Sequence, residues 1–224
     1  MKTVSIVSQN LRGLKSETRI QELFSYILRF GILAACLQET WRSNTESLTN
    51  RNCLLFLSGL ADDQQSRRGS QGVGIALRPQ GVNAWKAGGS EIHDDLGARV
   101  IGIRLLMKDY EDRDIGLLLI SAYAPDSSQP QEVYDEFLEK LEVCTLRKRP
   151  NDILVIGGDF NASLGTSYDN NNISLGPFGI NHVNEAGRKM RTFLSVNDLV
   201  ACSTFFQSAT MAPGSIPEVR SCAR

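Results

Sequence analysis

Short apolar runs rich in β-branched residues alternate along the chain with segments that carry a helical period. Eight such runs are bounded by Gly, Pro, Asn or Asp, which predicts strands. They span residues 3–9, 32–38, 53–58, 72–77, 98–107, 115–124, 152–158 and 199–205. Three segments place their apolar residues on one helical face, which predicts helices at 17–30, 130–146 and 185–196. The chain is therefore expected to have an α/β fold.

The order of these elements argues against a simple βαβ sheet of the Rossmann type. Residues 53–124 hold four predicted strands with no convincing helix between them, which is typical of an antiparallel meander. The glycine-rich "GVGIAL" at 72–77 lacks a third glycine and opens no helix, so a dinucleotide site is not expected. A mixed α/β sandwich fits the pattern better.

Composition narrows the class of protein further. The 224 residues, 42% of them hydrophobic, suit one domain, and the net charge of −1 gives no overall basic field that would attract nucleic acid. Such binding would rest on local clusters at 67–68, 146–149 and 187–191, although basic clusters of this kind are more often solvated surface. The five cysteines are odd in number and lack metal-ligand spacing, which predicts buried thiols in a reducing compartment.

Polar side chains follow the apolar run in "VIGGDFNASLG", residues 155–165. If the strand continues, Asp159 and Asn161 project from one side, since strand residues two apart share a face. An ionised Asp can take or direct the proton of an attacking water, and a neutral amide can fix position without adding negative charge. The alternative is that "DFN" is only a turn, because Asp and Asn favour turns.

Three other predicted strands also end in polar groups. Asn10 ends the first strand, Glu39 the second and Tyr123 the strand that closes in "SAYAP". Active sites of α/β proteins collect at strand ends of this kind. Glu and Asn supply the hard oxygen ligands that Mg²⁺ or Mn²⁺ prefers, and Tyr can donate a hydrogen bond to a phosphoryl oxygen. Each residue alone could be a cap, a surface acid or a core aromatic, but four such ends together favour a site.

Six segments carry a resemblance to a known family. They are "SQNLRGL", "LQETW", "GVGIAL", "SAYAP", "GGDFNASLG" and "NEAGRKMRTFL…NDLVACSTFF". In order and approximate spacing they resemble the endonuclease/exonuclease/phosphatase family, and most closely the apurinic-type endonuclease domain of non-LTR retrotransposons. The resemblance covers residues 3 to about 207 and implies two packed mixed β-sheets flanked by helices, a four-layer α/β sandwich.

The resemblance also implies a role for each candidate residue. Asn10 and Glu39 would bind a divalent metal, Mg²⁺ or Mn²⁺, and Tyr123 would contact the scissile phosphate. Asp159 would orient or deprotonate the attacking water, and Asn161 would hold the phosphate. Asn184 and Arg12 are further candidate contacts at the site, and Lys15, Arg42 and the basic clusters would contact the DNA backbone. The implied reaction is metal-dependent hydrolysis of DNA phosphodiester bonds.

One element of the family pattern is absent from the sequence, a Ser-Asp-His segment on a later strand. The two histidines, His93 and His182, lie in other contexts and are expected to be loop histidines without a catalytic part. We expect the endonuclease domain to cover 1–207, to lack its last strands, and to be followed by an irregular tail at 208–224. Loss of the acid–histidine pair would lower the rate by about 10²–10⁴-fold.

Three readings of the function therefore stay open: a DNA endonuclease, a phosphatase of the same fold acting on a lipid or inositol phosphoester, and a non-catalytic remnant. The first residues are too few and too polar for a signal peptide, and no apolar stretch approaches 18 residues. We expect an intracellular, soluble protein with DNA as its partner, no membrane association and no sign of an obligate protein partner. Nuclear and cytoplasmic locations both stay open.

Overall fold

The structure is a computed structural model that describes residues 3–61, 63, 71–166 and 173–207. The predicted tail at 208–224, the basic pair at 67–68 and residues 167–172 lie outside these residues. The described chain divides into two compact units. The first contains residues up to 124 together with 139–159, and the second contains 125–138 together with residues from 160 onward.

The first unit is built on two mixed β-sheets. The first sheet has the strand order β1-β2-β5-β4-β3 and the second the order β6-β7-β8-β9. Strands β1 and β2 run parallel, as do β8 and β9, and all other neighbours are antiparallel. The strands are β1 Ile6–Asn10, β2 Ala34–Gln38, β3 Thr45–Asn50, β4 Cys53–Ser58, β5 Val73–Leu77, β6 Ile92–His93, β7 Val100–Lys108, β8 Asp114–Tyr123 and β9 Ile153–Asp159.

The two sheets pack face to face over one apolar core. Alternate residues of most strands point into it, including Phe56 and Ile75 from the first sheet and Ile103 and Leu119 from the second. The side chains of this core are apolar, so its stability comes mainly from apolar area removed from water.

Helices cover the outer faces of both sheets. Helix α1, Glu17–Arg29, begins at Ser16, whose hydroxyl accepts a hydrogen bond from the Arg19 N–H, and it packs on the first sheet through residues such as Phe24. The end of helix α3, Gln131–Thr145, reaches the second sheet, where Cys144 Sγ lies over Gly102. The layers are helix, sheet, sheet and helix, so the predicted fold class is confirmed.

The region from 53 to 124 departs from the predicted meander. Helix α2, Pro79–Ala87, lies within it, and the flanking strands belong to two different sheets. The sequence prediction missed α2 because Gly81 and Asn83 interrupt its apolar period. Gly81 is needed there, since a Cβ at this position would stand 2.6 Å from the Leu33 carbonyl oxygen. Strands β3 and β6 were also not predicted.

The second unit contains the start of α3, helix α4 at Glu185–Val196, and the 3₁₀ turn Cys202–Phe205. Helix α4 has the predicted bounds, and its predicted inward residues Met190, Phe193 and Leu194 are buried. The predicted strand at 199–205 is wrong. There the Thr204 N–H bonds back to the Ala201 carbonyl, which closes a turn instead of a sheet ladder.

Candidate active site

Four of the predicted site residues meet in the first unit. The Asn10 side-chain amide donates to Glu39 Oε1 at 2.7 Å and to Asp159 Oδ2 at 3.0 Å. The Tyr123 hydroxyl donates to the same Glu39 Oε1 at 3.2 Å. Residues from both sheets, up to 149 positions apart in the chain, thus form one hydrogen-bonded cluster, which we call the strand-end cluster.

The sheet topology brings these side chains together. In the two parallel pairs Asn10 lies opposite Gln38 and Tyr123 opposite Asp159, so each pair ends at a common edge. Residues two apart share a face, and Ile6 and Leu119 on the same faces belong to the core between the sheets. Asn10, Tyr123 and Asp159 therefore extend the inward face of their strands to the edge of the sandwich.

Glu39 reaches the cluster by a different route. Continued alternation would place it with Leu37 on the face that packs against α1. Instead Glu39 has a φ of 52°, a left-handed conformation that few non-glycine residues adopt. Its carbonyl accepts from the Gly13 N–H at 2.7 Å, and the next N–H, of Thr40, donates to the Gly72 carbonyl at 3.1 Å. These bonds hold the turn that directs the carboxylate back toward Asn10.

The polar atoms of the strand-end cluster differ in how many hydrogen bonds they form. Both hydrogen bonds that the Glu39 carboxylate accepts fall on Oε1, so Oε2 accepts no hydrogen bond from the described residues. Asn10 Oδ1 accepts from the Arg12 backbone N–H at 3.2 Å, which turns the amide nitrogen toward the two carboxylates. Burial and the neighbouring Glu39 carboxylate raise the pKa of Tyr123 to about 12, so its hydroxyl keeps its proton and remains a donor.

The side-chain oxygen atoms of the strand-end cluster suit a cation that keeps part of its water shell. Two carboxylates and one carboxamide supply only oxygen ligands, the preference of Mg²⁺ and Mn²⁺, and leave positions for water and a phosphate. Within the described residues, no three His, Cys, Asp or Glu side chains group closely enough to hold a metal by themselves. Asn10 would present Oδ1 to a cation after a half-turn of its terminal torsion, which would release the Arg12 N–H.

Asn161 and Asn184 lie in the second unit. Strand β9 ends at Asp159, and Asn161 has a φ of 48°, so the strand alternation invoked for Asp159 and Asn161 does not extend this far. Asn184 is the N-cap of α4: its Oδ1 accepts from the Gly187 N–H at 2.7 Å and the Ser163 N–H at 2.9 Å. Its amide donates to the Asn161 carbonyl at 3.2 Å. Both asparagines line a cavity of about 140 Å³ beside Tyr134 and Lys189.

The basic residues that were predicted to contact DNA differ in whether they already form ion pairs with acidic residues. Arg12 and Lys15 are exposed in the loop after β1. Arg42 pairs with Glu46 at 2.6 Å. In the cluster at 146–149, Arg147 pairs with Asp95 at 2.6 Å, Arg149 pairs with Glu91, and Lys148 donates to the Asp152 carbonyl. In the cluster at 187–191, Arg188 pairs with Glu185 and Lys189 with Asp135. Neither cluster is an uncompensated basic patch.

Neither histidine belongs to the strand-end cluster's hydrogen bonds. His93 is in β6 and not in a loop as expected; β6 is the opposite edge of the second sheet from β9. Burial and the nearby Arg147 lower the pKa of His93, which favours its neutral form. His182 is in a loop of the second unit, as predicted, and its N–H donates to the Ile180 carbonyl.

One neighbour of the cluster was missed from the sequence. The Arg99 guanidinium lies 5.6 Å from the centre of the Tyr123 ring and donates to the Tyr123 carbonyl at 3.3 Å. The Tyr123 N–H in turn donates to the Arg99 carbonyl at 2.9 Å. Arg99 precedes an apolar run, a position where a strand begins, but its pairing with Tyr123 depends on a register that the sequence does not reveal.

Comparison with solved structures gives the fold directly. The endonuclease domain of TRAS1, a telomere-specific non-LTR retrotransposon, superposes with a TM-score of 0.53 at 16% identity, covering 87% of this chain and 70% of that one. The catalytic domain of APE2 from Xenopus laevis superposes with a TM-score of 0.52 at 16% identity, covering 87% and 67%. The chain has the fold of these endonuclease domains.

Sequence comparison gives a more local similarity. No protein-family model matches the sequence. Craniofacial development protein 2 of Bos taurus is 34% identical over 113 residues, and that of Tragulus javanicus is 33% identical over 113 residues. These matches cover half of this chain and about a fifth of the length of those relatives. No helix in the described part of the chain combines the length and the apolar character needed to cross a membrane.

Proposed function

We propose that the chain is a divalent-metal-dependent phosphodiesterase domain that hydrolyses DNA phosphodiester bonds by water attack. The observation that carries this proposal is the strand-end cluster, in which Asn10, Glu39, Tyr123 and Asp159 from two sheets share hydrogen bonds of 2.7–3.2 Å. The endonuclease-like fold supports the choice of reaction, and the titles of its structural neighbours support DNA as the substrate.

Glu39 and Asn10 would hold the metal, with Glu39 Oε2 as the first ligand because it accepts no hydrogen bond from the described residues. Bound there, Mg²⁺ or Mn²⁺ would supply Lewis-acid stabilisation of the phosphate charge. The side chains of the protein would activate the water and bind the phosphate.

We assign to Asp159 the role of orienting or deprotonating the attacking water. Its carboxylate lies 3.0 Å from the Asn10 amide, which fixes its orientation, and an ionised Asp can accept or direct the proton of the water. We assign to Tyr123 the role of donating a hydrogen bond to the scissile phosphate. Because its pKa is raised to about 12, it remains a hydrogen-bond donor as negative charge builds on a phosphoryl oxygen. Asn161 is proposed to bind phosphate with its neutral amide, and Asn184 would support it through the Asn161 carbonyl.

The first test is nicking of supercoiled plasmid by the purified chain in Mg²⁺ and in EDTA. We expect metal-dependent nicking that Glu39→Gln and Asp159→Asn each reduce by about 10²–10⁴-fold. The matched control is Glu139→Gln, since Glu139 is an exposed residue of α3. Nicking that persists in both site variants, or that survives EDTA, would reject the proposal.

A second candidate function is a non-catalytic remnant that binds metal or nucleic acid. It is favoured by one observation: within the described residues, no histidine takes part in the hydrogen bonds of the strand-end cluster. A folded chain that binds Mn²⁺ through Glu39 but nicks no plasmid would support this candidate. Hydrolysis of an inositol phosphoester in place of DNA would instead support the phosphatase alternative.

A further inference from the structure

The strand-end cluster depends on the alignment of two sheets. Asn10 ends β1 and Glu39 directly follows β2 of the first sheet, whereas Tyr123 and Asp159 end two strands of the second. The bonds from Asn10 to Asp159 and from Tyr123 to Glu39 therefore cross between the sheets. Apolar packing is non-directional, so it holds the sheets together without fixing how far one slides over the other. A displacement of about 1 Å along these hydrogen bonds would break both of them.

One layer deeper, a buried polar network joins the same strands. Gln38 Nε2 donates to Ser121 Oγ at 3.2 Å, which links β2 to β8 across the interface between the sheets. Ser121 Oγ donates to the Leu37 carbonyl at 3.0 Å, and Ser8 Oγ donates to Gln38 Oε1 at 3.3 Å. We call Ser8, Gln38 and Ser121 the inter-sheet network.

The network lies directly beneath the cluster in the strand register. Ser8 precedes Asn10 by two residues and Ser121 precedes Tyr123 by two, so each pair shares a face. Gln38 immediately precedes Glu39. A shift of Gln38 relative to Ser121 is therefore transmitted to the carboxylate and the phenol that meet above them.

The polar character of this layer is costly for stability alone. Gln38 is 1% exposed and Ser121 is fully buried, among strands whose other inward residues are mostly apolar. Buried polar groups must be paired to offset their loss of water, and a well-packed apolar pair would serve stability as well. What the polar pair adds is direction, because a hydrogen bond fixes the relative position of two strands more closely than apolar contact does.

Strand β9, which ends in Asp159, lies close to β1 and β2. Gly157 precedes Asp159 by two residues, and a Cβ at Gly157 would stand 2.8 Å from both Cβ and Sγ of Cys36 and 3.2 Å from Cβ of Ser8. The absence of a side chain lets β9 approach β1 and β2, which is what the 3.0 Å bond between Asn10 and Asp159 requires.

We infer that Gln38 and Ser121 are positioning residues, which set the alignment of Asn10 and Glu39 against Tyr123 and Asp159 without contacting the substrate. This inference rests on the proposed function, since it assigns the network a purpose in that site.

The test uses Gln38→Met, Ser121→Ala and the double variant of both. Each single change leaves a buried partner unpaired, so it lowers stability as well as alignment. The double variant removes both members of the pair that links the sheets and should recover much of the stability, because paired polar groups can be exchanged for apolar ones at little cost. It leaves the Ser8 hydroxyl without Gln38 as its acceptor, but Ser8 is only partly buried. A core variant, Ile103→Val, serves as the stability control, since Ile103 is fully buried between the sheets on β7.

Four quantities are measured for each variant: the urea midpoint, the affinity for Mn²⁺ by calorimetry, and kcat and KM for plasmid nicking. We expect the double variant to regain its urea midpoint while its Mn²⁺ affinity and its kcat each stay at least about tenfold below the parent, with KM little changed. The Ile103→Val variant should keep the parent Mn²⁺ affinity and kcat.

Two outcomes would overturn the inference, and they differ. If the parent binds Mn²⁺ and nicks plasmid, but the double variant does so equally well once its stability is regained, the network is structural only and the proposed function stands. If the parent neither binds Mn²⁺ nor nicks plasmid, the proposed function fails and the inference fails with it.

Discussion

The side chain of Asn10 donates a hydrogen bond to Asp159 Oδ2 at 3.0 Å, and this contact joins the first sheet to the last described strand of the second. The same amide nitrogen donates to Glu39. Two carboxylates thus share one neutral donor group. The arrangement makes Asn10 the residue on which the electrostatics of the strand-end cluster depend.

We therefore expect Asn10→Asp to make the stability of the chain depend on metal. Three carboxylates without the amide donor would repel one another and lower the free energy of unfolding in EDTA by about 1–3 kcal/mol. Added Mg²⁺ should restore more stability to this variant than to the parent or to Asn10→Ala, because a ligand that binds the folded state stabilises it. Urea unfolding with and without Mg²⁺ measures this. Asn50→Asp, at the end of β3, is the matched control, and equal behaviour of the two Asp variants would contradict the expectation.

Tyr123 gives a prediction about both rate and pH. Tyr123→Phe removes the hydroxyl that donates to Glu39 and should lower the nicking rate by about 10²-fold, as loss of one transition-state donor does. Because burial and the Glu39 carboxylate raise the pKa of Tyr123 to about 12, the phenol should show no ionisation between pH 7 and 10 in EDTA. A step in phenolate absorbance within that range, present in the parent and absent from the Phe variant, would show that the hydroxyl ionises earlier than stated.

The buried ion pair of Arg104 and Asp152 is expected to carry more stability than any exposed pair. Asp152 accepts from Arg104 through both oxygens at 2.8 Å, and its side chain is 3% exposed. Asp152→Asn should reduce the free energy of unfolding by about 3–5 kcal/mol, since it leaves the guanidinium buried without its counter-charge. The exposed pair of Lys108 and Asp114 supplies the control, and Asp114→Asn should cost less than about 1 kcal/mol. Similar losses for the two variants would refute this ranking.

The same pair predicts an acid-dependent loss of stability. The hydrogen bonds from Arg104 hold the pKa of Asp152 below its usual value. A carboxyl whose folded-state pKa is depressed stabilises the fold above its unfolded pKa of about 3.9, and this contribution is lost as the pH falls through the lower, folded value. The free energy of unfolding should thus decrease below about pH 4 with a steeper slope in the parent than in Asp152→Asn. Identical slopes would mean that Asp152 is not held ionised by the pair.

Contact with DNA should depend on the loop after β1 more than on the basic cluster at 146–149. Arg12→Gln with Lys15→Gln should weaken plasmid binding and lower the slope of log affinity against log salt by about 2. Arg147→Gln with Arg149→Gln should change the slope little, because Asp95 and Glu91 already pair with these cations. Binding measured by fluorescence anisotropy over a range of salt concentrations distinguishes the two double variants. A larger effect from the second pair would contradict the assignment.

Much of the fold follows from local sequence signals. Continuous apolar runs with turn residues at their ends predicted β4 and the core strands of both sheets, and α4 has its predicted bounds. The errors fall where context outweighs local preference. Strand β3 is polar and half exposed, as an edge strand can be, and the β-rich segment at 199–205 closes into a 3₁₀ turn through its own carbonyls.

The convergence of the strand-end cluster was also predictable, because parallel neighbours end at one edge of a sheet. Its finer geometry was not. The left-handed backbone of Glu39 depends on hydrogen bonds from loops distant in sequence, and the capping role of Asn184 depends on where α4 begins. The alternation of strand faces that was assumed to extend to Asn161 ends with β9 at Asp159.

We propose that Glu39 and Asn10 hold a divalent cation at the ends of the strands. The decisive experiment is anomalous diffraction from a crystal of the chain soaked in Mn²⁺. We expect a manganese peak bound by Glu39, which is lost in a Glu39→Gln crystal and kept in a Glu139→Gln crystal. A peak held by other residues, or none at Glu39 under conditions that saturate the protein, would contradict it.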